Sequence, residues 1–346
     1  MSKVIHLIPY SGIGGVETAA ASINPAVHEQ VGFEVRSIYP QRKGWRQRSI
    51  TFNPWYLYRT ARHIAKESPD VLILSLWRSC VVGSIVRMLN PEIRLILMLH
   101  NSRDAHLIDR FFTRQAVQYS EQVWADSAAS LSLRVNNLPV RKTRIISFLI
   151  DRLEPLPSLE VKPVFAFWGR LSAQKDVSRA LRIFSAVHEK YPQARFIVIG
   201  PDGGEKANLM RQARSLEVGD AVEFAGGLSR AEVFRKVKDA CFYLGTSRYE
   251  GMALSVVEAM QLGLVPVVTP VGEIANYCQQ GLNALLVEQD SVTVPQLIEL
   301  LENNGKYQRM RREAISAWRK VPLYRDSLLA AVCSLPGFSG WKGSAE

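Results

Sequence analysis

The chain is poor in cysteine, short of acid and without a long apolar run, and each lack removes a class of protein. Among 346 residues only Cys80, Cys241, Cys278 and Cys333 occur, with no Cys-x-x-Cys pair and no His/Cys ligand spacing. A disulfide-stapled scaffold and a structural zinc site are thereby excluded, and a reduced compartment fits best. No apolar stretch approaches the roughly 18 to 20 residues of a membrane span; the longest, around 71–77 and 95–99, have strand length. Pro9, Gly12, Gly14, Gly15 and Glu17 interrupt the N-terminal segment too early for a signal peptide, so the reading is cytoplasmic. There is no Gly-Lys-Ser/Thr triplet and hence no P-loop. Acids number 32 against 43 Lys plus Arg, a formal charge of +11.

What is present is a length that favours two domains and a composition of 47% hydrophobic and 22% charged residues, ordinary for a folded enzyme. Strand-length, β-branched runs at 4–8, 33–38, 71–75, 95–99, 122–125 and 144–148 alternate with helix-length segments, as in a parallel sheet covered by helices. The stretch 151–163, with Pro155, Pro157 and Pro163, reads as a linker. A second series of strands follows at 164–168, 196–199, 221–224, 242–245, 265–269 and 284–287. The expected plan is therefore two α/β domains, 1–150 and 164–321. The charge divides unevenly: +9 in residues 1–150 and +2 in the remainder.

Three segments carry chemistry. After the first strand, Gly12, Gly14 and Gly15 precede a helix-forming stretch, a turn that lets backbone N–H groups approach a phosphate or simply permits positive φ. As a dinucleotide fingerprint it is poor, because Glu17 holds the third glycine's place and the second strand lacks a terminal acid. At the end of the strand 164–168, Arg170 and Lys175 emerge where ligands of open α/β sheets bind, so two cations there could hold a diphosphate. The strongest signal is the run Glu250-Gly251-Met252-Ala253-Leu254 leading to Glu258. It places one acid in a loop and a second about two turns into an apolar helix, both able to face a ligand over the helix N-terminus. An acid in such a run needs partners, and sugar or ribose hydroxyls would serve.

Taken in order, these motifs resemble a GT-B glycosyltransferase of the retaining glycosyltransferase family 4 type. Glu250 and Glu258 fall on its E-x7-E motif, Arg170 and Lys175 on its Gly-Arg-x4-Lys motif, and Gly14-Gly15-Val16-Glu17 on its N-terminal loop. Gly200-Pro201-Asp202-Gly203 and Phe224-Ala225-Gly226 match two further turns. The chain departs from the pattern before the linker, where Ser147 to Asp151 replace the usual Asn-Gly pair, and after Gly272. The resemblance implies two Rossmann-like α/β/α domains facing across a cleft, an acceptor-binding domain at 1–150 with 322–346 packing back on it, and a donor domain at 164–321. It implies transfer of a sugar from a nucleotide-diphosphate sugar to a glycan or lipid-linked acceptor in cell-surface polysaccharide synthesis, with retention of configuration. No cofactor or metal is implied, and the lack of any Asp-x-Asp pair agrees. By the same resemblance Arg170 and Lys175 hold the diphosphate, Glu250 the sugar, Glu258 the ribose, and His100, closing the strand 95–99, approaches the transferred sugar. Gly14, Gly15, Gly251, Met252, Ala253 and Leu254 complete the donor site. His6, His28, His63, His106 and His188 receive no role.

Between positions 36 and 62, Arg36, Arg42, Lys43, Arg46, Arg48, Arg59 and Arg62 interleave with Tyr39, Trp45, Phe52, Trp55, Tyr56 and Tyr58. Cations with interfacial aromatics suit an anionic membrane surface at the inner face of the cell membrane, or an acceptor-recognition loop. No nucleic-acid module accompanies them, so nucleic acid is not an expected partner. Rival readings are a nucleotide-sugar-binding protein without transfer activity and a GT-B-like nucleotide-sugar epimerase, which would consume donor without acceptor.

Overall fold

Parallel strands buried on both faces are unbroken apolar runs, and the strand-length runs of this sequence form two such sheets. The computed structural model describes residues 2–10, 15–23, 32–39, 53–100, 102–104, 106–136, 138–157 and 160–338. The chain divides into two compact units, residues 1–151 with 322–346, and residues 152–321.

The first unit holds strands β1 (Lys3–Tyr10), β2 (Gly32–Tyr39), β3 (Val71–Ser75), β4 (Arg94–Leu99), β5 (Gln122–Ala125) and β6 (Thr143–Ile145), in spatial order β2-β1-β3-β4-β5-β6. Every pairing is parallel. Alternate residues Ile5, Leu7, Leu72, Leu74, Leu95 and Leu97 share one sheet face and pack with Ala61 and Ile64 of helix Pro54–Glu67 and with Val82 and Val86 of helix Leu76–Leu89. The sequence reads a strand at 144–148, but β6 ends at Ile145. Beyond it the backbone changes partner: Ser147 N–H donates to Ser327 Oγ and Tyr324 N–H to the Leu149 carbonyl. These bonds seat helix Tyr324–Cys333 on this unit, with the Tyr324 ring edge-on to Phe148 at 5.4 Å.

In the second unit β7 (Val164–Trp168), β8 (Arg195–Ile199), β9 (Val222–Gly226), β10 (Phe242–Gly245), β11 (Val265–Val268) and β12 (Leu285–Leu286) lie in the order β12-β11-β10-β7-β8-β9. The strand read at 221–224 starts one residue later because Ala221 closes a short 3-10 turn, and that read at 284–287 shrinks to two residues. The chain runs outward from β7 through β8 and β9, then returns to start again on the other side with β10. A crevice opens at the carboxyl ends of strands where the order reverses in this way. Behind it Phe165 stacks on Phe242 at 5.1 Å and meets Phe184 edge-on at 5.8 Å, all fully buried; truncating Phe165 to alanine should cost about 3–5 kcal/mol.

Candidate active site

At the reversal point of the second sheet the carboxyl ends of β7 and β10 deliver the residues that the sequence singles out. After β7, Gly169 leads into the exposed Arg170 and then Lys175, whose Nζ meets Glu250 Oε1 at 2.5 Å. The Glu250 side chain is 8% exposed and the lysine 18%, so this is an ion pair largely out of water. Glu250 lies on the loop after β10. A Cβ on Gly272 would lie 2.1 Å from the Glu250 carbonyl oxygen, so a glycine with φ 58° lets the neighbouring turn press against that loop. The Gly251 and Met252 carbonyls accept from Glu273 N–H and Tyr277 OH. Ala253, left-handed at φ 56°, then starts helix Leu254–Leu262 and has no side chain to cap it. Val256 and Val257 N–H donate to the Ala253 carbonyl, so the N–H groups ahead of them, at the very start of the helix, are those that a bound anion would meet.

Glu258 sits on the same helix and uses both carboxylate oxygens: Oε2 accepts from Trp168 Nε1 at 2.8 Å and Oε1 from Arg230 Nε at 2.6 Å. Each oxygen keeps a second lone-pair site for a ligand hydroxyl. The sequence reading assigned no role to Trp168 or Arg230. A signal for Arg230 exists, since Ser229 and Glu232 form a capping box that fixes Arg230 as the first helical residue. The turn Gly200 to Gly203 serves the site from behind. A Cβ on Gly200 would lie 1.8 Å from the Gly169 carbonyl oxygen and one on Gly203 2.7 Å from that of Leu171, so these glycines let the turn after β8 support the Arg170 loop.

In the first unit, His100 follows β4 and Gly15 starts helix Gly15–Ala21; Gly14 lies outside the described residues. His100 is not an isolated strand-end imidazole. Its Nε2 bonds Ser75 Oγ at 2.9 Å, and the same hydroxyl bonds His6 Nε2 at 2.7 Å. His6, given no role from sequence, thus joins a buried array. One hydroxyl hydrogen serves only one of two neighbours, so each ring's tautomer depends on the other's. Burial, with the nearby His6 ring adding to it, pushes the His100 imidazole down to about 3, and burial lowers His6 to about 4. The Asp126 carboxylate, 3.8 Å from His100 Nδ1, is too far for a hydrogen bond to it and accepts from Ser127 Oγ at 2.9 Å. His100 is therefore a neutral ring, able to donate or accept one hydrogen bond at Nδ1 but a weak base. The Phe148 ring lies 5.3 Å from it.

Of the basic and aromatic run, Arg42, Lys43, Trp45, Arg46, Arg48 and Phe52 lie outside the described residues. Arg36 leaves the patch: it pairs with Glu34 and Glu67, and Glu67 also takes Lys3. Tyr39 is buried and stacks on Tyr56, whose hydroxyl donates to the Ile38 carbonyl. Trp55, Arg59 and Arg62 remain exposed on helix Pro54–Glu67 at a spacing that puts them on one face.

Residues 153–317 match the family described as glycosyl transferases group 1. The chain is 30% identical over 132 residues to a GDP-mannose:cellobiosyl-diphosphopolyprenol alpha-mannosyltransferase of Komagataeibacter xylinus, covering 38% of this chain and 33% of that protein. It is 26% identical over 136 residues to an alpha-monoglucosyldiacylglycerol synthase of Acholeplasma laidlawii, 39% of this chain and 34% of the other. The matches span about a third of the length of these curated relatives. Among solved structures, Anabaena Alr3699/HepE in complex with UDP and glucose superposes with a TM-score of 0.78 at 17% identity over 97% of this chain and 100% of its own. The lipopolysaccharide outer core galactosyltransferase WaaB gives 0.73 at 19% identity over 96% and 99%. The two parallel-sheet α/β domains are those of the GT-B fold.

Proposed function

We propose that this chain transfers a sugar from a nucleoside-diphosphate donor, held by the second unit, to a hydroxyl of a glycan or lipid-linked acceptor received by the first. The observation that carries the reading is the buried Lys175–Glu250 pair beside the uncapped start of helix Leu254–Leu262, at the reversal point of the second sheet. Arg170, Lys175 and the helix-start N–H groups hold the diphosphate. Phosphate oxygens compete with Glu250 for Lys175, which frees Glu250 to accept from sugar hydroxyls, while Glu258 accepts from the ribose. As the bond from the anomeric carbon to the diphosphate oxygen breaks, the electron pair leaves on that oxygen, where these fixed donors stabilise it without reorganising. Configuration is retained, as in the family 4 enzymes that the motifs resemble, with the departing phosphate oxygen taking the acceptor proton on the same face. His100 orients the sugar through Nδ1. The cations take the place of a metal ion.

The named specificities of the relatives support a nucleotide-sugar donor and a lipid-borne acceptor. Screening GDP-mannose and UDP-glucose by thermal shift and then by turnover tests the proposal. Lys175→Ala and Glu250→Ala should each fold and lose transfer on the order of 10²- to 10³-fold. The product's anomeric configuration, read by NMR, should match the donor's, and EDTA should leave the rate unchanged. Full turnover in both folded variants would remove the mechanism.

A further inference from the structure

The first sheet also reverses its order, between β1 and β3, and a cavity of about 200 Å³ opens at that end of the unit. Among its walls are Tyr10 at the end of β1, Trp77 and Arg78 after β3, His100 after β4, and Asp109 with Arg134. Arg134 is spent on Asp109 at 3.0 Å and Asp104 at 3.2 Å. His100 is neutral, its side chain 2% exposed, and its Nδ1 has no hydrogen-bond partner among the described residues. Arg78 remains. Its guanidinium lies 4.3 Å from the Trp77 ring centroid and 5.4 Å from that of Tyr10, and its buried Nε finds no hydrogen-bond acceptor. Aromatic faces attract a guanidinium but leave its in-plane N–H donors unanswered.

Two features of the backbone point the same way. Leu76, the residue that turns β3 into helix Leu76–Leu89, sits at φ 66°, a left-handed conformation that a leucine adopts only when its surroundings hold it there. That turn presents Trp77 and Arg78 to the cavity. Ser75, at the N-cap, does not cap the helix, because its hydroxyl is held between the two histidines. The helix start thus adds its positive end to the Arg78 charge.

We propose that this cavity binds an oxyanion of the acceptor, a phosphoryl or carboxylate group, with Arg78 as its principal ligand. The assignment to the acceptor rests on the reading of the first unit as the acceptor side; anion binding at Arg78 does not. Arginine's planar fork matches either oxyanion with two parallel N–H bonds.

The full chain labelled with 5-fluorotryptophan reports both units at once by fluorine NMR. Trp77 marks this cavity and Trp168 the donor site, each resonance being assigned by its Trp→Phe variant. Titration with inorganic phosphate or glucuronate should move the Trp77 signal saturably, and the tighter of the two identifies the phosphoryl or carboxylate source. Arg78→Gln should weaken that binding at least tenfold and Arg78→Lys only a few-fold, with an unchanged signal from the buried Trp124 confirming that each variant folds. A Trp77 signal indifferent to both anions, or an equal response in Arg78→Gln, overturns the site. A Trp168 signal that ignores GDP-mannose and UDP-glucose while Trp77 responds keeps the anion site and fails the donor reading instead.

Discussion

At the scale of single residues, His6 and His100 tie stability to acid in a defined direction. Both imidazoles bind protons less readily in the fold than in the unfolded chain, with folded values of about 4 and about 3, so protonation favours unfolding. Their contribution is complete above about pH 6.5 and is lost below it, at up to about 1.4 kcal/mol per pH unit for each ring. Urea midpoints measured at pH 7.5, 6.5 and 5.5 should therefore fall with acid, and less steeply in His6→Asn. An identical slope in that variant would remove His6 from the linkage. Glu67, held down to about 2 by Arg36 and Lys3, does not titrate in that window. His6 also marks where sequence reasoning stops. Its strand position gives no hint of a partner, since Ser75 lies 69 residues away and meets it only when β1 and β3 pair. Glu250 and Glu258 are legible because one loop and one helix carry them, whereas the Trp168 and Arg230 that receive Glu258 come from other elements.

At the scale of elements, the Glu250 loop takes its position from a neighbour that touches no ligand. Gly272 and Gly281 both have positive φ, 58° and 73°, but only at Gly272 would a Cβ strike another chain segment. Alanine at either should cost about 1–2 kcal/mol for the left-handed backbone. Only Gly272→Ala should also displace Glu250 and lower transfer, by tenfold or more. Equal activity in the two variants, measured below their melting temperatures, would show that the close approach is not needed. Strands were the easiest elements to read, because a parallel strand buried on both faces is an uninterrupted apolar run. The misread end of β6 has a plain cause: Ile146 N–H still donates to the Ala125 carbonyl of β5, but Ser147 N–H turns to Ser327, on a helix 180 residues later, which no local pattern reveals.

At the scale of the molecule, the charge asymmetry separates two kinds of anion recognition. On the proposed reading the second unit would meet a diphosphate with a few placed cations, while residues 1–150 carry +9, and Trp55, Arg59 and Arg62 stand exposed together on one helix. No helix among the described residues is long and apolar enough to cross a membrane. Contact of this helix with an anionic bilayer would contribute roughly 1 kcal/mol per basic residue near the surface. Flotation with anionic liposomes should recover the protein at low salt and lose it at 0.5 M, with Trp55→Ser combined with Arg59→Ser and Arg62→Ser weakening recovery several-fold. No flotation at low salt would sink the membrane reading.

The return of helix Tyr324–Cys333 to the first unit has a consequence in time as well as in space. On the ribosome, residues 152–321 are all present before the segment that completes the older half has been made. The unit translated first must therefore wait with the Phe148 side of its His100 region uncovered until Tyr324 arrives, so the later-born second unit is the first whose chain is complete.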